Sequence, residues 1–282
     1  MKLIRWGAVG AEKPGMLDAA GRLRDLSGVV PDIAGHVLSD AGLEALRAVD
    51  PASLPELPAD TRLGPCVGGI GKMLCIGLNY ADHAAEAGQP VPPEPILFMK
   101  ATSAICGPND PTLIPRSSSK TDWEVELGVV IGTRAKHVPE DRALEHVAGY
   151  CIVNDVSERE FQIERAGQWT KGKSHDSFGP TGPWLVTRDE VADPQALALW
   201  LDVNGERVQD GSTRTMVYGV AHLVAYASRF MTLHPGDVIA TGTPPGVGLG
   251  MKPPRFLKPG DVVELGVEGL GQQRQEVIAD PG

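Results

Sequence analysis

Long apolar runs, a surplus of positive charge and paired cysteines are all missing from this chain, and each absence closes off a class of function. No stretch approaches the roughly 20 apolar residues of a membrane-spanning helix. No signal-peptide pattern opens the sequence, so a cytoplasmic location is expected. The 26 Lys and Arg against 36 Asp and Glu leave a formal net charge of -10. Nucleic acid and anionic membrane are therefore poor partners, and an anionic substrate would need cations placed locally. The four cysteines, Cys66, Cys75, Cys106 and Cys151, show no CxxC spacing. They read as packing residues in a reducing compartment, not as zinc ligands or disulfides. Regular strand–helix alternation is also lacking, which argues against a doubly wound nucleotide fold.

What is present in abundance is glycine (34) and proline (24), which implies many turns and excludes a helical bundle. At 282 residues the chain can bury one large or two unequal domains. Short strands are expected at Lys2–Val9, Gly15–Ala19 and Leu23–Leu26, then a weak helix at Ala41–Ala48. The proline-rich Pro51–Pro65 is the natural boundary, giving a small unit over 1–65 and a larger one over 66–282. The larger unit opens with a strand, Met73–Gly77, and a short helix, Ala81–Ala87, closed by Gly88 and the prolines that follow. A helix is also expected over Ser157–Ala166. Asn204-Gly205 suits the type I′ turn of a hairpin between Leu199–Val203 and Arg207–Gln209. Apolar spacing from Val217 to Met231 is helical. The Pro-Gly-Asp turns at Pro235 and Pro259 each launch an apolar strand.

The most telling local feature is Glu124-Val-Glu126 inside a run of strand formers. A strand sends alternate side chains to one face, so both carboxylates project together, about 7 Å apart along the backbone. Such a pair repels itself unless positive charge lies between. Oxygen-only ligands favour a hard divalent cation; a solvent-facing acidic edge is the plainer alternative. Asp155 closes a second apolar run, Gly149–Asp155. A carboxylate there is costly unless paired or ligated, although it could equally cap a following helix. Gly167-Gln-Trp-Thr-Lys-Gly-Lys-Ser174 matches the phosphate-loop pattern by letter. That loop needs a strand before it and a helix after it, and His175-Asp-Ser-Phe-Gly-Pro-Thr-Gly-Pro183 cannot be a helix.

Several pieces in order resemble the fumarylacetoacetate hydrolase family. They are Asn79-Tyr80 with Asp82-His83-Ala-Ala-Glu86, Phe98-Met-Lys100, Asp122-Trp-Glu124-Val-Glu126, Asn154-Asp155-Val-Ser-Glu-Arg159 with Gln162, Gly172-Lys173-Ser174, and Thr241-Gly-Thr243-Pro-Pro-Gly-Val247. The resemblance spans about residues 70–275. It implies an α+β, mostly β fold: a mixed β-sheet roll with short flanking helices and a small β-rich N-terminal domain, usually as a homodimer. It also implies that Glu124, Glu126 and Asp155 hold Mg²⁺, with Mn²⁺ or Ca²⁺ as alternatives. In length and wording the chain resembles bacterial members named 2,4-diketo-3-deoxy-sugar-acid hydrolase or ureidoglycolate lyase.

His83 and Glu86 are three apart and share a helix face, where a carboxylate would raise the basicity of the imidazole. By resemblance the pair activates water from a helical lid. Lys173 then places an ammonium beside the metal to hold developing enolate charge. Arg159, Gln162 and Thr243, and more weakly Tyr80 and Lys100, become substrate contacts. A solvated helix face or a turn-closing threonine would explain them as simply. The expected substrate is a small 2-oxo acid. In a 2,4-dioxo acid, water attacks the 4-carbonyl, C3–C4 breaks, and pyruvate and a carboxylic acid result. Oxaloacetate decarboxylation or isomerisation of a 2-oxo diacid could use the same electron sink. A non-catalytic Ca²⁺-binding protein would leave His83 and Lys173 without purpose.

Overall fold

The structure is a computed structural model describing residues 1–86 and 88–282. Strands dominate and helices are short, as an α+β, mostly β chain should be. The larger sheet runs, edge to edge, through Leu23–Asp25, Lys13–Leu17, Lys2–Trp6, Gly179–Thr187, Val147–Asn154, Val125–Ile131, Val238–Ala240, Met73–Gly77 and Ile96–Lys100. Ile105–Cys106 adds to it alongside Gly179–Thr187. A five-stranded sheet, Glu206–Ser212, Ala198–Val203, Val262–Val267, Gly271–Ala279 and Thr112–Ile114, packs against it. The core between them is largely aliphatic, including Leu127, Val129, Ile152, Leu201, Val224 and Leu265.

Val125–Ile131 and Val147–Asn154 are buried at every position because both faces are covered, which explains their continuous apolar runs. Their antiparallel register places Glu126 opposite Val153 and Val125 opposite Asn154. Glu126 and Asp155 thus come to the same end of adjacent strands.

The N-terminal strands end sooner than expected; the first stops at Trp6, where Gly7 turns with φ 117°. They join the large sheet, since Lys2 and Leu3 pair with Val186 and Leu185. The proline-rich stretch pairs back on them through Arg24–Glu56 and Trp6–Leu63 bridges. The first helix is Asp40–Arg47, with Ser39 capping Gly42 N. The hairpin turns through Asn204 (φ 54°) and Gly205 (φ 78°), as a type I′ turn requires. The long helix is Val220–Phe230, and both Pro-Gly-Asp turns deliver strands.

Two expectations need correction. Ser157–Ala166 is not one helix: Ser157–Glu158 pairs with Thr121–Asp122, and only Glu160–Glu164 coils, as a π turn. The Glu158 carboxylate takes the backbone N–H groups of Lys120 and Phe161, which diverts the chain into that bridge. Asp155 consequently caps no helix. The short helix expected to act as a lid is Ala81–Glu86, and the expected Ala87 lies outside the described residues.

Candidate active site

Glu124, Glu126 and Asp155 converge. One oxygen from each lies within 4.8 Å of the others, all three residues are buried, and they form the one such cluster among the described residues. Glu124 immediately precedes its strand and Asp155 immediately follows its own, with Asp155 N bonded to Glu124 O at 2.9 Å.

Two of the three carboxylates are already paired. Lys173 Nζ lies 2.8 Å from both Glu124 Oε2 and Asp155 Oδ2, and Arg159 Nη2 lies 2.7 Å from Glu124 Oε1. Lys100 pairs with Asp155 Oδ1 from behind. Burial opposes charge on Glu124, but Lys173 and Arg159 outweigh it and hold its carboxyl well below the usual range. Burial likewise opposes the Lys173 ammonium, and Asp155 and Glu124 more than restore it.

Glu126 is the exception. Among the described residues its one hydrogen-bond donor is Gly242 N, at 2.8 Å. Burial, then Asp155 and Glu124, push its carboxyl well above the ordinary range. A buried carboxylate facing two others with no cation of its own is what a hard divalent ion would correct. The donor set fits such an ion, held by Glu124, Glu126 and Asp155. Gly242 can bring its N–H this close because its φ is 97° and a side chain there would meet Asn79 Cβ at 2.8 Å.

Across the cavity, His83 Nδ1 lies 3.0 Å from Glu86 Oε2. An ionised carboxylate only accepts, so Nδ1 carries the hydrogen, which in the neutral ring leaves the lone pair on Nε2. Glu86 Oε1 in turn accepts Gly246 N at 2.9 Å, docking the lid helix on the 246–250 loop. Both ends of the lid segment are fastened to one stretch of chain. Asn79 Nδ2 donates to Tyr218 O and Thr241 O, and Tyr218 N donates back to Asn79 Oδ1. Downstream, Tyr218 and Tyr226 hydroxyls bond Pro92 O and Glu94 Oε2.

A cavity of about 660 Å³ joins these groups, lined by His83, Glu86, Glu124, Glu126, Arg159, Gln162, Lys173 and Thr243. A wider concavity over Pro183, Gln272 and Arg274 carries none of them. Arg159 donates to Gln162 Oε1 at 3.1 Å, so the two do share a face. Thr243 borders the cavity, but its hydroxyl donates to Val125 O and accepts from Gln209 Nε2, both 2.8–2.9 Å. That turn-closing role is the plainer of the two expected.

Tyr80 and Lys100 are not among the lining residues. Lys100 stands behind Asp155, bonded to Val156 O and Lys173 O. Tyr80 is fully buried, and burial, with Glu126 nearby, raises its hydroxyl well above the ordinary range. Neither is placed to touch a substrate as a first contact.

Sequence reasoning missed Asp122. Its carboxylate is wholly buried and accepts from Trp123 N, Gly248 N, Leu249 N and Arg159 Nε. It ties the loop that receives Glu86 to the guanidinium that steadies Glu124. An Asp beside a tryptophan in a buried run was the available signal. Also missed were Phe98 and Trp169, an edge-to-face pair at 5.1 Å in the cavity wall, with Phe98 5.0 Å from Lys173 Nζ.

The chain is similar along almost its whole length to known proteins. It is 69% identical to a Burkholderia cenocepacia (strain HI2424) protein described no further than as a candidate hydrolase, over 98% of each. The crystal structure of 2-hydroxyhepta-2,4-diene-1,7-dioate isomerase from Mycobacterium marinum matches with TM-score 0.80 at 33% identity, covering 100% of both chains. Maleylpyruvate hydrolase from Sphingobium sp. SYK-6, solved with manganese(II) and pyruvate, matches with TM-score 0.82 at 28% identity over 99% of both. The sequence profile described as "Fumarylacetoacetate (FAA) hydrolase C-terminal" fits residues 72–278, and the chain belongs to the fumarylacetoacetate hydrolase family.

Proposed function

We propose that this protein hydrolyses the C3–C4 bond of a 2,4-dioxo acid, giving pyruvate and a carboxylic acid, and that Mg²⁺ is its usual metal, with Mn²⁺ able to replace it. The observation that carries the reading is the facing of His83–Glu86 against the buried carboxylate cluster across one cavity. An ion held by Glu124, Glu126 and Asp155 would polarise the 2-oxo group and spread enolate charge.

Glu86 holds the His83 ring with its proton on Nδ1, so Nε2 is the base. His83 takes a proton from water as the water oxygen adds to C4. The C4 oxyanion then collapses, C3–C4 breaks, and its electron pair moves to C3 as the pyruvate enolate. The protonated imidazole, or solvent, returns a proton to C3. Lys173 supplies fixed positive charge beside that enolate, and Arg159 keeps Gln162 and Glu124 in place.

A second reading is isomerisation or decarboxylation of a 2-oxo diacid, favoured by the likeness to the isomerase structure and by the cluster with Lys173 being complete without the lid. Purified protein would be given a panel of 2,4-dioxo acids and oxaloacetate, with chelator or with Mg²⁺. Pyruvate release from the dioxo acids that needs the metal and fails in His83→Ala and Glu86→Gln supports hydrolysis. Equal loss of hydrolysis and decarboxylation in those variants sinks the division of labour.

A further inference from the structure

We infer that the substrate's acyl arm, the part beyond C4, is apolar and flat rather than hydroxylated; this rests on the dioxo-acid reading above. The charged groups around the carboxylate cluster are already engaged with one another. Lys173 and Arg159 are committed to carboxylates, and the Thr243 hydroxyl to Val125 and Gln209.

Much of the rest of the wall is hydrocarbon. Phe98 and Trp169 meet edge to face, with Ile76 and Ile96 beside them. Ile163 is 49% exposed and Leu249 38%, large apolar side chains left in water where they line the cavity. Water contact at two such residues in a concave wall is relieved when an apolar group covers them. Among the described lining residues, the further polar side chains are Gln162, whose Oε1 accepts from Arg159, and Gln89 and Lys252, both exposed at the rim.

The aromatic pair is held in place by the backbone. A Cβ at Gly77 would come within 2.6 Å of Trp169 Cζ3, so the indole lies directly on the Gly77 main chain, with Phe98 against it. Glycine at this strand end therefore gives Trp169 its seat. A hydroxylated arm lying on the Phe98–Trp169–Ile96 part of this wall would find no side-chain partner there for its O–H groups, the situation that apolar pockets disfavour. The sugar-acid chemistry implied by resemblance is the less suited of the two.

The test compares 2,4-dioxo acids ending in phenyl, methyl, dihydroxyethyl or carboxyethyl groups, with Mg²⁺ present. The phenyl acid should exceed the dihydroxyethyl acid in kcat/KM by about ten- to hundredfold. Trp169→Ala, and Gly77→Ala by displacing the indole, should each reduce kcat/KM for the phenyl acid at least tenfold more than for the methyl acid, mostly through KM. Melting curves would confirm that both variants fold. A dihydroxyethyl acid as good as the phenyl acid overturns the inference, and so does a preferred carboxyethyl acid, which would move recognition to Lys252. Failure to cleave any of them would sink the hydrolase reading instead. Calorimetric affinities of the same four acids then decide the arm, and an order in which phenyl is not tightest overturns it.

Discussion

The two sides of the cavity are built on opposite plans. The carboxylate side hangs on central strands buried on both faces, and every member except Glu126 is tied by at least one salt bridge. The His83–Glu86 side rests on a six-residue helix held to the far loop, among the described residues, by the hydrogen bond from Gly246 N to the Glu86 carboxylate. On the proposed reaction the contrast separates work: the fixed side would hold charge that must not move, and the lightly held side would bring the base. It also shows where stability is given up, since only Glu126 lacks a cation.

The sharpest way to break the contrast is on the fixed side. Glu126→Ala should lower kcat/KM by about a thousandfold or more and abolish divalent-ion binding by calorimetry. His83→Ala and Glu86→Gln should cost hydrolysis about 10²–10⁴-fold, while deuterium exchange into pyruvate, read by NMR, falls far less. Loss of exchange as deep as that of hydrolysis would erase the distinction between the two sides.

Glu126→Gln sharpens the comparison through stability. The raised carboxyl has a sign: its contribution is present below about pH 4.5 and is lost as pH rises through the higher folded value. The metal-free wild type is therefore penalised at neutral pH. The Gln variant should melt higher than wild type without metal and gain nothing from Mg²⁺, as scanning calorimetry at pH 7.5 would show. Thr243→Val should cost about 1–3 kcal/mol of stability for its two buried hydrogen bonds, with KM little changed; a large KM rise would return Thr243 to the substrate.

The smallest effect concerns His175, half-buried between Phe161 and Phe178 at ring distances of 5.5 and 5.3 Å. Burial lowers its pKa, so the stability it contributes is present above about pH 6.5 and is lost as pH falls. His175→Asn should flatten the decline in melting temperature between pH 7.5 and 5.5.

Much of this was legible in the sequence because local chemistry and tertiary role agreed. Glu124 and Glu126 alternate with buried Val125 and Leu127, so period-two patterning already put both carboxylates on one face. Asn204-Gly205 gave its turn for a purely local reason, the ease of positive φ. His83 and Glu86 needed only helical spacing to meet. Ser157–Ala166 misled because its polarity suits a helix, while a nonlocal fact, the pairing of Ser157 with Asp122 and the Glu158 bonds to Lys120 and Phe161, decides it. Lys100 misled differently: a lysine in a motif suggests a substrate contact, yet its ammonium is spent behind Asp155. Trp169 was invisible because its seat depends on Gly77, far away in sequence.

Asn79 at one end, and Pro92 and Glu94 at the other, are moored to the Tyr218–Tyr226 stretch. Whatever rearrangement admits a substrate is thereby confined to the few residues between two fixed posts. On the proposed hydrolysis, a base carried between such posts would return to one register after each turnover, over a sheet that need not move.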